Sequence, residues 1–117
     1  LLEKKGQAMY DLIHTAVYAK VLEDAYNTAY QAYQRQDYQT AKDSFGQVVF
    51  IDQTYHNGDA LFYLAECQWN TWEFDSAIEN YQKVIEQYPD TSHARTAQER
   101  IDSYAQSNGG DDNTTNN

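Results

Sequence analysis

Residues 74–89 read FDSAIENYQKVIEQYP, and residues 38–53 read YQTAKDSFGQVVFIDQ. Laid over each other at an offset of 36, Tyr38 falls on Phe74, Ala41 on Ala77, Phe45 on Tyr81, Val48 on Val84 and Val49 on Ile85. The match continues upstream, where Tyr26 falls on Phe62, Ala29 on Ala65, Tyr33 on Trp69 and Gln34 on Asn70. Acids match as well, Asp37 with Glu73 and Asp43 with Glu79. Size and polarity are conserved at a fixed period, which marks a repeat architecture. Within each copy the apolar residues recur at helical spacing. Leu22, Ala25, Ala29 and Ala32 form one stripe, and Tyr38, Ala41, Phe45, Val48 and Val49 a second. Each copy therefore reads as two helices joined by a turn, near Arg35–Asp37 in the first. Alanines at Ala29, Ala41, Ala65 and Ala77 stand where the paired helices cross closely.

The composition agrees with a helical chain. Only five glycines and one proline, Pro89, occur in 117 residues, so strong breakers are few. The length allows one domain at most. Mean hydropathy is −0.86, and no run of 18 apolar residues is present to cross a membrane. The net charge is −10 and the isoelectric point near 4.4, which disfavours nucleic acid and anionic membrane as partners. The acid is uneven: residues 1–50 are net −1 and residues 51–117 net −9. A single cysteine, Cys67, leaves no intrachain disulfide and reads as a quiet, packed thiol. His14, His56 and His93 are scattered over different elements and form no nucleophile or ligand pattern with Cys67. No catalytic residue, metal site or cofactor is expected, and the protein is not read as an enzyme.

The residues resemble the tetratricopeptide repeat family. In the second copy Leu61-x-x-Leu64-Ala65, Ala77, Tyr81 and Pro89 stand for its signature. In the first copy Ala25-x-x-Thr28-Ala29, Ala41 and Phe45 do so, with Gln53 in the place of the proline. The period exceeds the family's 34 by about two residues, which fall in the loop Asp52–Asn57. The resemblance implies an all-α, right-handed array of helical hairpins. Residues 1–19 are expected to form an amphipathic helix (Met9, Leu12, Ile13, Ala16, Val17) ending a preceding repeat. Residues 20–53 and 58–91 form the two repeats, 92–106 a capping helix started by Asp90, Thr91 or Ser92, and 107–117 a disordered tail. The chain is expected to be part of a longer protein.

In this family the first helix of each pair lines a concave surface that binds peptides or protein segments. By register, that surface holds Tyr26, Tyr30, Tyr33 and Gln34, then Phe62, Glu66, Trp69 and Asn70, with Arg100 from the capping helix. Glu23, Asp59, His93 and Thr96 fall on the same surface. The resemblance thus implies a protein-interaction scaffold with an aromatic, acidic-edged groove for a basic or neutral ligand. Self-association through the Met9–Val17 helix and glycan binding on the aromatics are the alternatives. The basic residues of a chaperone-type carboxylate clamp are absent from the matching positions. The run Phe74–Tyr104, with its Glu86-x-Tyr88-Pro89-Asp90-Thr91-x-x-Ala94 element, is similar to C-terminal repeats of bacterial envelope proteins. That similarity implies an extracytoplasmic domain anchored through an upstream segment, with a cytoplasmic setting as the alternative.

Overall fold

The computed structural model describes residues 2–116, and the side chains of residues 6–108. The order is α1 (Leu2–Gln34), α2 (Tyr38–Ile51), a 3₁₀ turn (Tyr55–Gly58), α3 (Asp59–Asn70), α4 (Phe74–Gln87) and α5 (Ser92–Asn116). Each helix packs on the next in sequence, so the fold is an all-α array of successive hairpins. The 36-residue offset holds to the residue: α2 and α4 are both 14 residues long, and α1 and α3 end at Gln34 and Asn70. Ala29, Ala41, Ala65 and Ala77 are fully buried, as the close-crossing argument requires.

Two cores flank α3. The first joins Leu22, Ala29 and Ala32 of α1 and Ala41, Phe45 and Val48 of α2 to Ala60, Leu64 and Cys67 of α3. The second joins Leu61, Phe62 and Ala65 of α3 to Ala77, Tyr81 and Val84 of α4 and Ala94 and Ala97 of α5. A helix covered on two sides needs apolar residues around most of its circumference, and α3 has them. Its α1 counterparts do not. Asp24, Thr28 and Gln31 stand where α3 has Ala60, Leu64 and Cys67, and all three are exposed. That face of α1 is polar because no described helix lies against it.

Both hairpins turn the same way. Gln36 and Trp72, 36 residues apart, adopt left-handed backbone at φ 63° and 69°. The amide that follows reaches back over the turn, Asp37 to the Ala32 carbonyl at 2.9 Å and Glu73 to the Gln68 carbonyl at 2.8 Å. This six-to-one bond satisfies a carbonyl that a helix end otherwise leaves without a partner. Asp37 then caps α2 through the Thr40 amide. At α4 the equivalent Glu73 makes no such cap; its carboxylate is taken by Lys42 and by Thr71 Oγ1. Lys42 lies on α2, so this pair ties the two hairpins together. Its hydrogen bond holds the Glu73 carboxyl below the usual carboxylate range.

The two extra residues of the repeat period are visible in the link between hairpins. His56, Asn57 and Gly58 are all left-handed, at φ 53°, 55° and 90°. Such runs are rare, because each non-glycine residue there costs about 1–2 kcal/mol. The turn is held by what it touches. A Cβ on Gly58 would lie 2.3 Å from the Tyr88 ring. Tyr88 caps the end of α4, Pro89 stops that helix, and Thr91 Oγ1 accepts the Ala94 amide to start α5. The Tyr88-Pro89-Asp90-Thr91-x-x-Ala94 element is thus a junction motif.

Two boundaries differ from the sequence reading. No break separates residues 1–19 from the first repeat: α1 runs unbroken for 33 residues. The segment Ala16–Glu23 contains no glycine, proline or capping pattern, so nothing stops the helix. At about 1.5 Å per residue α1 is far longer than α2, and its first half extends past the hairpin. At the other end, α5 continues to Asn116, through most of the stretch expected to be disordered. Residues 107–116 contain no apolar side chain beyond the two glycines, so they carry no stripe to bury. That does not forbid propagation, which needs one backbone hydrogen bond per added residue. The side chains of residues 109–117 lie outside the described residues.

Gly58→Ala should destabilise the fold by about 2–3 kcal/mol, from a left-handed β-carbon and the clash with Tyr88. Urea denaturation of the variant and of the reverse test, Gln36→Gly, checks this. The latter should raise stability by about 0.5–1 kcal/mol through relief at a left-handed position.

Candidate functional site: an aromatic face across three helices

The tyrosines of α1 do not stand alone. Tyr26 stacks on Tyr30 with centroids 6.2 Å apart, and Tyr30 meets Tyr63 of α3 at 5.6 Å. Tyr63 also contacts Tyr33 at 4.9 Å and Phe45 at 5.6 Å, and reaches His93 of α5 at 5.6 Å. His93 lies flat on Phe62 at 4.0 Å and hydrogen-bonds Asp59 Oδ1 at 2.9 Å. From the link, His56 covers Tyr26 at 4.3 Å and Tyr55 stacks on His56 at 4.4 Å. One connected ring system therefore spans α1, α3, α5 and the strained link. Aromatic contacts of this kind contribute roughly 0.5–1.5 kcal/mol each beyond area burial. The rings are half in and half out: Tyr30 keeps 36% of its surface, while Tyr26, Tyr33 and Tyr63 are half-buried against the first core. Burial pushes the Tyr26 hydroxyl up to about 12, with the Asp59 charge adding to the shift. Burial raises Tyr33 and Tyr63 as well, and the neighbouring Glu66 acts in the same direction on both. These phenols stay protonated at neutral pH, as hydrogen-bond donors beside an acidic edge that includes Asp59.

Several expected groove residues take other places. Glu66 is only 5% exposed. Its Oε1 accepts from the Tyr81 hydroxyl at 2.5 Å and from Arg100 Nε at 3.1 Å, and its Oε2 accepts from a second Arg100 nitrogen at 3.1 Å. Glu66, Tyr81 and Arg100 belong to α3, α4 and α5, so this network locks three helices. It engages both oxygens of a carboxylate that is withdrawn from solvent, and holds Arg100 in a bidentate grip. Both are framework residues. The hydrogen bond to Glu66 raises the Arg100 guanidinium, and burial, then Glu66, raises the Tyr81 phenol. Phe62 is buried beneath His93. Gln34 is exposed at the end of α1. Asn70 is exposed, but its Nδ2 donates to the Glu66 carbonyl at 2.8 Å and closes the end of α3.

Trp69 joins a different cluster. It meets Phe74 at 5.0 Å, Tyr81 at 6.2 Å and Tyr104 at 6.4 Å, and the Arg100 guanidinium sits 5.9 Å over its ring. Tyr63, which the repeat pattern does not single out, is the hub of the first cluster. Its counterpart at the 36-residue offset is Asn27, so self-similarity carries no signal for it. Cys67 is buried, and that burial pushes its thiol up to about 12 with Glu66 adding to the shift. The thiol is protonated and unreactive at neutral pH. His14 is exposed on α1, stacked on Tyr10 and packed edgewise on Tyr18.

The geometry defines a class of surface: a helical array presenting rings on one face and a buried polar network behind it. Residues 59–91, which are α3, α4 and the turn that follows, match the family model for the tetratricopeptide repeat. The match supports this family for the helical array. Tetratricopeptide repeats generally mediate protein–protein interaction and are generally non-catalytic scaffolds. No curated protein and no solved structure matches the chain. No described helix is long and apolar enough to cross a membrane.

The first unit offers a control for the polar network. At the 36-residue offset Tyr81, Glu66 and Arg100 correspond to Phe45, Tyr30 and Leu64, an apolar and aromatic set. Arg100→Met should cost about 2–3 kcal/mol, below the range for a fully buried partner because the Arg100 side chain is 38% exposed. Replacing all three with the first-unit residues (Tyr81→Phe, Glu66→Tyr, Arg100→Leu) should recover most of that loss in thermal and urea melts. A triple variant weaker than Arg100→Met would contradict this account.

Proposed function

We propose that the ring system of Tyr26, Tyr30, Tyr63 and His93 binds a basic or neutral peptide or protein segment. One observation carries the reading: ring contacts run without interruption across three helices while the outer edges stay accessible. A buried core has no need of phenol hydroxyls at its rim, whereas tyrosine gives a binding surface large area at little entropic cost. Asp59 beside Tyr26 and Tyr63, and Glu23 beside Tyr55, supply the acidic edge. Acidic ligands are therefore disfavoured. The general interaction role of the repeat family supports the same reading. The likeness of residues 74–104 to envelope-protein repeats supports a bacterial, membrane-anchored setting with this domain outside the cytoplasm. The coding sequence upstream of Leu1 tests that setting, and an upstream region with no hydrophobic segment would remove it.

Tyr30→Ser is the selective probe, because Tyr30 is the most exposed ring of the group and lies outside both buried cores. On a peptide array, the wild-type protein should retain basic and neutral sequences over acidic ones. The variant should bind at least about tenfold less, the loss of one interface anchor of about 1.4 kcal/mol or more. It should still melt cooperatively, some degrees lower for the loss of the contacts to Tyr26 and Tyr63. Unchanged capture by Tyr30→Ser would remove this face from the function.

A second reading, self-association, rests on a separate observation. Met9, Leu12, Ile13, Val17 and Val21 are all exposed on the overhanging half of α1, and Phe50 of α2 is 91% exposed. Residues 1–21 are net +1, whereas residues 22–117 are net −11, so like charge does not strongly oppose the meeting of two copies at this helix. Sedimentation velocity should show dimers or larger species that Ile13→Glu returns to monomer. A concentration-independent monomer would exclude this reading.

A further inference from the structure

We propose that the cleft framed by Trp72, Phe74 and Tyr104 is a second binding site, which takes the cationic end of a lysine or arginine side chain. It lies at the turn between α3 and α4, apart from the tyrosine face, and does not rest on the function proposed above.

Trp72 is 81% exposed and sits at the left-handed position of the turn, where glycine is the residue without strain. The first unit places Gln36 there, so the turn itself has no need of an indole. Trp72 thus combines backbone strain with an exposed ring, and the chain recovers little of either. Its ring contact is Phe74, at 5.8 Å and 61°. Trp69, three residues earlier, is by contrast half-buried among Phe74, Tyr81 and Tyr104. Strain and exposure kept together at one residue point to a role outside the fold.

The surroundings specify the ligand. Phe74 and Tyr104 lie 5.6 Å apart, and with Trp72, Glu73, Asp75 and Ser76 they line an open cleft of about 420 Å³. Aromatic faces carry the negative pole of the ring quadrupole and attract cations. Glu73 is already engaged by Lys42 and Thr71, while Asp75 forms no hydrogen bond or ion pair among the described residues. The amino end of α4 opposes a cation with only about half an elementary charge, so the Asp75 carboxylate retains a surplus. The same cluster already holds one cation on a ring face, Arg100 over Trp69. A sugar would also stack on Trp72, but it gains nothing from the surplus negative charge.

The test uses the full 117-residue chain and the two indole N–H signals of its ¹H–¹⁵N spectrum, assigned with Trp72→Gly. The probes are acetyl-Gly-Arg-Gly-amide, its lysine counterpart, its citrulline counterpart and an N-acetylglucosamine tetramer. The arginine and lysine peptides should shift the Trp72 indole signal saturably. The neutral citrulline peptide should bind about two- to fivefold more weakly, the range of a cation–π contact at an exposed ring. Asp75→Asn should weaken the cationic peptides, and Trp72→Gly should abolish their binding while melting at the same or a higher temperature. Equal binding of citrulline and arginine, no shift with either cation, or a response to the sugar alone would overturn the proposal. So would a lower melting temperature for Trp72→Gly, which would make the indole a packing residue.

Discussion

The bond from Glu66 to Arg100 and Tyr81 organises the C-terminal half of this molecule. One carboxylate, withdrawn from water, is satisfied by a guanidinium from α5 and a phenol from α4. Removing a charge from water costs several kcal/mol, which is returned only when every lone pair finds a partner in good geometry. The network therefore tolerates one relative placement of three helices and few others. At the preceding junction the same three positions hold Phe45, Tyr30 and Leu64. There dispersion and area burial suffice, and Tyr30 is left partly free to face solvent. Conversion of the apolar set to a polar one separates a junction that presents a ring from a junction that locks.

The connections carry the strain. Gln36 and Trp72 close the hairpins in left-handed conformation, and His56, Asn57 and Gly58 do so together in the link. Two of the link residues are held by contacts from outside it: Tyr88 against Gly58, and Tyr26 against His56. The link is thus built into the aromatic face, and the orientation of His56 over Tyr26 follows from a backbone that its own sequence does not favour. A longer link between hairpins supplies a ring to the surface that two shorter helices alone would not have.

Legibility of the surface depends on whether contacts join equivalent or different positions. Tyr26, Tyr30 and Tyr33 fall at i, i+4 and i+7, and their common placement follows from helix geometry. Tyr63 does not, because it meets Tyr30 and Tyr33 across two units, and an offset of 36 pairs it with Asn27 instead. The same limit explains Glu66, Arg100 and Trp69. Register placed them on the concave surface with their neighbours, but Arg100 comes from a helix outside the repeat, and its charge holds Glu66 inward. The unbroken α1 was legible in retrospect, since no breaker interrupts residues 16–23.

The sequence by itself determined the helical hairpins, their period and the residues at the crossings. These follow from local spacing, and a periodic stripe or a proline acts within a few residues of its position. Only the tertiary structure decided which aromatics join, that Glu66 belongs to the interior, that Trp72 stands exposed on a strained turn, and that the overhang of α1 lies uncovered. Those outcomes depend on which helix packs beside which. The free energy of a buried charge or a shared ring face is a property of the neighbours, and neighbours far apart in the chain leave no local pattern.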